Sequence, residues 1–221
     1  MAVSIKSARE IELMREAGKR LAHVHQELEA MIAPGISTWE IDAKGEKLIR
    51  DCGCIPNFLH YNGYPASICV SVNDEVVHGI PRKDRYLKEG DIVSLDAGLI
   101  YKGYHSDAAR THAVGKVSTE AQKLMDVTKQ SFFEGIKMAK EGQHLHDISR
   151  AIEEYVAPYG YGIVRDLVGH GIGTALHEDP QIPNYAQKRR GVRLQAGMTL
   201  AIEPMINAGT WQVRFLRDGW T

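Results

Sequence analysis

Displaced by 107 positions, the chain meets its own punctuation: Gly35 falls on Gly142, Glu40 on Asp147, Ile41 on Ile148, Glu46 on Glu153 and Gly53 on Gly160. The matches sit at helix caps and breakers, which is the mark of a supersecondary unit used twice. In the first copy, residues 7–32 open with Ser7 three places before Glu10, and Ile11, Met14, Leu21, Val24, Leu28 and Met31 follow at helical spacing. Pro34 and Gly35 break that helix, and Ser37 with Glu40 starts a shorter one that ends near Gly53. In the second copy, a long helix capped around Thr119 precedes a shorter one over HLHDISRAIEEYVAPYGYG. Strand-like sequence follows each helix pair: SICVSV and DIVSLDAGLIY first, YGIVRDLVGH and MTLAIEPMI second. The expectation is an α/β (α+β) fold, a curved antiparallel sheet backed by four helices. Residues 1–221 then form one domain of two pseudo-twofold related halves, about 7–114 and 115–221.

A chain of 221 residues buries enough apolar surface to need neither disulfides nor structural metal. Apolar residues make up 43% and charged residues 25%, and the formal charge is -1, so no field gathers nucleic acid or anionic lipid. The three cysteines, Cys52, Cys54 and Cys69, are odd in number and lack paired metal-knuckle spacing. They read as free thiols in a reducing compartment, and no apolar run is long enough to span a bilayer; a cytoplasmic location is expected.

Two carboxylates break the strand pattern of SLDAGLIYKGYHSD. Aspartate is depleted in strands because its short side chain bonds the local backbone and its charge resists burial. With Lys102 and Gly103 as a two-residue turn, Asp96 faces Ala109 and Asp107 faces Gly98, so both carboxylates share one face of the sheet. Diagonal neighbours of this kind lie roughly 7–8 Å apart, close enough to converge on cations. An aspartate that merely caps the turn would sit at the turn, and neither does. In the second half, His170 stands between two glycines, His177 follows seven residues later, and Glu203 stands at the end of an apolar strand just before Pro204 stops it, in TLAIEPMI where its neighbours favour burial. Taken singly, each reads as a surface or satisfied core residue. Taken together, three carboxylates and one imidazole without a thiolate suit a hard or borderline divalent ion: manganese, iron, cobalt or zinc.

The blocks SICVSVNDEVVHGIP, VSLDAGLIYKGYHSDAART, LVGHGIGTALHEDPQIPNY and GMTLAIEPM resemble, in order and spacing, the signature blocks of bacterial type I methionine aminopeptidases. The resemblance covers nearly the whole chain. It implies the pita-bread fold and a metal-dependent hydrolase of the cytoplasm that removes the initiator methionine from nascent polypeptides with a small second residue. It also implies two divalent ions held by Asp96, Asp107, His170 and Glu203, with Glu203 taking a proton from the attacking water. His177 is implied as donor to the developing oxyanion, and His78 as the contact to the amide nitrogen beyond the cleaved bond. Tyr61, Tyr64, Cys69, Leu176 and Trp220 are implied as walls of the thioether pocket. Residue 176 is commonly phenylalanine in that family, so Leu176 keeps an apolar wall without an aromatic face.

The same resemblance places a further strand and a second bridging glutamate after residue 221, so the expectation for this chain is a carboxy-terminally truncated form with a weakened second metal site. Partners expected on that basis are nascent chain ends and the ribosome, with no nucleic-acid substrate, no membrane and a monomeric state. Two rival readings are a proline-specific or creatinase-like hydrolase on the same fold and a binding protein that has lost catalysis. The former usually carries a separate amino-terminal domain, whereas the first amphipathic helix here begins at Ser7. The latter loses ligand positions from several blocks, whereas four stand here.

Overall fold

The computed structural model describes residues 3–221 and divides into two units, one of residues 10–122 and 215–221, the other of residues 3–9 and 123–214. The first is built on helices α1 (Ala8–Glu29) and α2 (Thr38–Asp51) and strands β1 (Ile55–Pro56), β2 (Ile68–Val72), β3 (Ile92–Tyr101) and β4 (Tyr104–Ala113). α1 buries Ala17, Leu21, Val24, His25 and Leu28, a single stripe at helical spacing. α2 starts at the expected cap: the Glu40 N–H donates to the Ser37 hydroxyl, and the Glu40 carboxylate accepts from the Ser37 N–H at 2.8 Å.

All four strands meet at β3. β4 lies along one edge, and β2 and β1 follow one another along the other, every pairing antiparallel. Lys102 and Gly103 make the turn, with φ of 49° and 84°. Two consecutive positive φ values are those of the hairpin turn whose twist matches its flanking strands. The register that follows pairs Asp96 with Ala109 and Asp107 with Gly98, as the sequence requires. Leu21, Leu28, Ile41, Ile49, Ile68, Leu95 and Leu99 fill the space between the helices and this sheet. Burying each contributes about 1.5–3 kcal/mol.

The second unit holds α3 (Thr119–Ile136) from Lys123 onward, α4 (Leu145–Val156), β5 (Gly162–Ile163), β6 (Gly169–Gly171), β7 (Glu178–Ile182), β8 (Leu200–Ala201) and β9 (Ile206–Asn207). The α3 cap is Ser118, whose hydroxyl accepts from the Ala121 N–H. At α4 the Asp147 carboxylate accepts from the His144 N–H at 2.9 Å, the counterpart of Glu40 on Ser37. Here the strands are shorter than the sequence pattern implies. YGIVRDLVGH is two strands, because the chain bends at Arg165 and Asp166. MTLAIEPMI is likewise β8 and β9, with residues 202–205 between the two strands, where Pro204 has no N–H to give a ladder. Glu203 therefore lies between strands and not at the end of one. β7, which the pattern did not mark, pairs with β6 in the order β7-β6-β8.

Among the described residues no helix is long and apolar enough to cross a membrane. One buried group makes stability depend on pH. His25 is fully buried on α1, and its Nε2–H donates to the Ala108 carbonyl at 2.8 Å. Burial lowers its pKa from 6.5 to about 4, more than the Ala108 bond restores. The folded state thus refuses a proton that the unfolded chain accepts between those two values. Stability from this group is complete above pH 6.5, falls as pH drops through the window and levels off below about 4, a loss on the order of 3 kcal/mol. Urea unfolding at pH 7 and pH 5 should show a steeper acid loss for the unaltered chain than for His25→Gln; equal losses would exclude His25 as the source.

Candidate active site

Asp96 and Asp107 are half-buried on adjacent strands of the first unit, on one face of the sheet and diagonal to each other. Gly98 lies across from Asp107, and a Cβ there would meet the Asn57 carboxamide at 2.1 Å, so Asn57 occupies the space a larger residue would claim. The Ala108 carbonyl that accepts from His25 fixes the backbone beside Asp107. Cys69, on β2 opposite Asp96, is a free, buried thiol. Burial first, and the Asp96 carboxylate second, push its pKa well above the ordinary value, so it stays protonated.

The candidate pocket residues of this unit also come together. Tyr64 is buried with its ring 5.1 Å from that of Trp220, edge to face, and the His78 ring meets Trp220 edge to face at 6.1 Å. Tyr61 is half-buried in the short 3-10 turn Tyr61–Gly63. His78 itself has a φ of 57°, a conformation that side chains with a Cβ seldom adopt. Burial lowers its pKa, offset in part by the Trp220 backbone and Asp107, so its ring is neutral at pH 7.

The other unit carries His170, Leu176, His177 and Glu203. β6 is closely walled: a Cβ at residue 169 would lie 2.3 Å from the Ala201 carbonyl oxygen, and one at residue 171 would lie 2.2 Å from that of Asp179. Only glycine fits on either side of His170, which explains the Gly-His-Gly sequence. His170 Nδ1 lies 2.8 Å from the Gly171 carbonyl and donates to it, which leaves Nε2 as the lone-pair nitrogen. Nε2 is 3.1 Å from Glu203 Oε1. Two lone-pair atoms at that separation require a proton or a cation between them. The chemistry of this donor set, imidazole and carboxylate without thiolate, fits a divalent ion.

Glu203 is held through its backbone, since the fully buried Asn184 carboxamide donates to the Glu203 carbonyl at 2.7 Å. Sequence reading missed Asn184; its one signal is a polar residue between the apolar Ile182-Pro183 pair and Tyr185. His177 is exposed, and its ring centre lies 4.2 Å from that of His170. Leu176 is buried beside it. Glu178, the next residue, is anchored by Lys6 Nζ at 2.6 Å, the Ser4 hydroxyl at 2.8 Å and the Ala175 N–H at 3.2 Å. Burial pushes the Glu178 carboxyl up, but these donors outweigh it and hold the pKa at about 2. His177 is thus exposed on an anchored stretch of chain.

The model of metallopeptidase family M24 matches residues 12–219. The chain belongs to metallopeptidase family M24. This M24 chain is a metal-dependent hydrolase with the pita-bread α/β fold. It is 52% identical over 219 residues to a methionine aminopeptidase of Clostridium acetobutylicum, covering 99% of this chain and 88% of that protein. Among solved structures, a methionine aminopeptidase of Thermotoga maritima superposes with a TM-score of 0.96 at 45% identity, covering 99% and 88% of the two chains. The Xaa-Pro dipeptidase of Bacillus anthracis superposes with a TM-score of 0.79 at 28% identity, covering 90% of the M24 chain and 54% of the other.

Proposed function

We propose that this M24 chain removes the initiator methionine from the amino terminus of nascent polypeptides whose second residue is small. The observation that carries this reading is the 52% identity to a methionine aminopeptidase across 99% of the chain. The proline-specific alternative rests on a likeness of 28% identity alone.

Asp96, Asp107, His170 and Glu203 are the residues that would hold two divalent ions, of cobalt, manganese, iron or zinc. Such ions, when bound, supply a water that is deprotonated near neutral pH and polarise the scissile carbonyl. Glu203 accepts the proton of the attacking water and His177 donates to the oxyanion that develops on the carbonyl oxygen. The neutral His78 contacts the amide nitrogen on the leaving side. Tyr61, Tyr64, Cys69, Leu176 and Trp220 enclose the methionine side chain; the protonated thiol of Cys69 and the edge-to-face Tyr64 and Trp220 rings offer the polarisable surface a thioether favours. The chain acts as a single monomeric domain in the cytoplasm, meeting its substrates as they leave the ribosome.

The test is release of free methionine from Met-Ala-Ser after chelation and re-addition of each metal, beside an Ala-Pro dipeptide and Met-Lys-Ser. Cleavage of Met-Ala-Ser alone, and only with metal, is expected. Turnover of Ala-Pro would favour the proline-specific reading, and full activity after chelation would overturn the proposal.

A further inference from the structure

His78 is held by the residue that follows it. β2 pairs with β3 through one edge only, and its other edge carries Gly79. The Gly79 carbonyl accepts from the Val70 N–H at 2.9 Å and from the Tyr64 hydroxyl at 3.0 Å. The Gly79 N–H donates to the Ser71 hydroxyl oxygen at 3.0 Å. A Cβ on residue 79 would stand 2.5 Å from the Val70 carbonyl oxygen and 2.8 Å from the Ser71 Cα, so the glycine lies flat on the strand. Every polar backbone group of Gly79 is therefore tied to β2 or to Tyr64, and Gly79 and Ser71 are both buried.

The Ser71 bond differs from the other two in what it fixes. The N–H it accepts belongs to the peptide that joins His78 to Gly79, so the hydroxyl sets the orientation of that peptide plane and with it the ψ of His78. At a φ of 57° the backbone of His78 would relax toward a commoner conformation if that plane were free to turn. Relaxation would swing the imidazole away from where the Trp220 ring edge now meets it.

We infer that Ser71 is a positioning residue for His78: its buried hydroxyl locks the peptide after His78 and so aims the imidazole at the substrate amide. The inference rests on the reading of His78 as a substrate contact. A group held within a fraction of an ångström of its productive place loses much of its effect when it wanders, about tenfold to a hundredfold for displacements near 1 Å. A hydroxyl is the feature needed, so threonine at the same place, suited to a strand, should serve.

The experiment is a double-mutant cycle with a spectroscopic readout on the full chain. Ser71→Ala should lower kcat on Met-Ala-Ser about tenfold or more with unchanged KM and metal content, and Ser71→Thr should restore most of it. In a His78→Ala background, Ser71→Ala should change kcat by less than about twofold. The His78 ring resonances, assigned by their loss in His78→Ala, should shift and broaden in metal-free Ser71→Ala. If Ser71→Ala does not fold, Ser71→Cys keeps the volume with a poor acceptor and stands in for it. Undiminished kcat with unmoved ring resonances would overturn the role of Ser71, as would the same kcat loss with and without His78. Full activity of His78→Ala would instead refute the reading of His78, while a ring shift in Ser71→Ala would still support the lock.

Discussion

Asp107→Ala should all but abolish metal-dependent hydrolysis while the fold survives, because the role proposed for Asp107 is that of a metal ligand and not of a packing group. Asp107 is half-buried, faces Gly98 across the hairpin and stands diagonal to the like charge of Asp96. Two carboxylates so placed repel each other in the absence of a cation. The metal-free variant should therefore melt at the same temperature as the metal-free parent or slightly above it. Added metal should raise the melting temperature of the parent, as any ligand of the native state does, and raise that of the variant far less. Metal analysis, Met-Ala-Ser turnover and thermal melts with and without manganese check all three expectations. A metal-loaded Asp107→Ala chain with full activity would refute the ligand assignment.

His177→Ala should fail in a different way. Its ring is exposed on an anchored stretch of chain beside His170, suited to meet a substrate oxygen and not to be enclosed in a ligand cage. Loss of a donor that acts on the developing oxyanion costs about 10²–10³ in kcat. KM and metal content should remain close to those of the parent. The two variants thus separate binding of the ion from use of it. A collapse of metal content in His177→Ala would make His177 a ligand and reverse the assignment of roles.

Much of the first unit is readable without coordinates because its determinants are local. The Ser37 and Glu40 cap, the apolar stripe of α1 and the Lys102–Gly103 turn each act over a few residues, and the turn fixes the register that puts Asp96 and Asp107 on one face. The second unit is less legible. Its strands run two to five residues, and Glu203 and β7 were misplaced or missed because such short ladders leave little periodic trace. No local pattern marks Asn184, whose bond to the Glu203 carbonyl spans 19 residues of chain, or His25, whose bond to Ala108 spans 83.

What the sequence determined by itself is the inventory and its chemistry: a duplicated set of helix caps, an aspartate pair in one hairpin, and histidines and a glutamate of the kind that hold borderline cations. Tertiary structure alone decided how those groups are presented. The Gly171 carbonyl selects the nitrogen that His170 turns toward Glu203, and β2 selects the backbone conformation of His78. Caps, turns and amphipathic stripes arise from forces between near neighbours, which the order of residues records. Tautomers and ring directions arise from hydrogen bonds to backbone groups whose positions exist only after the strands have formed, and no spacing in the sequence records them.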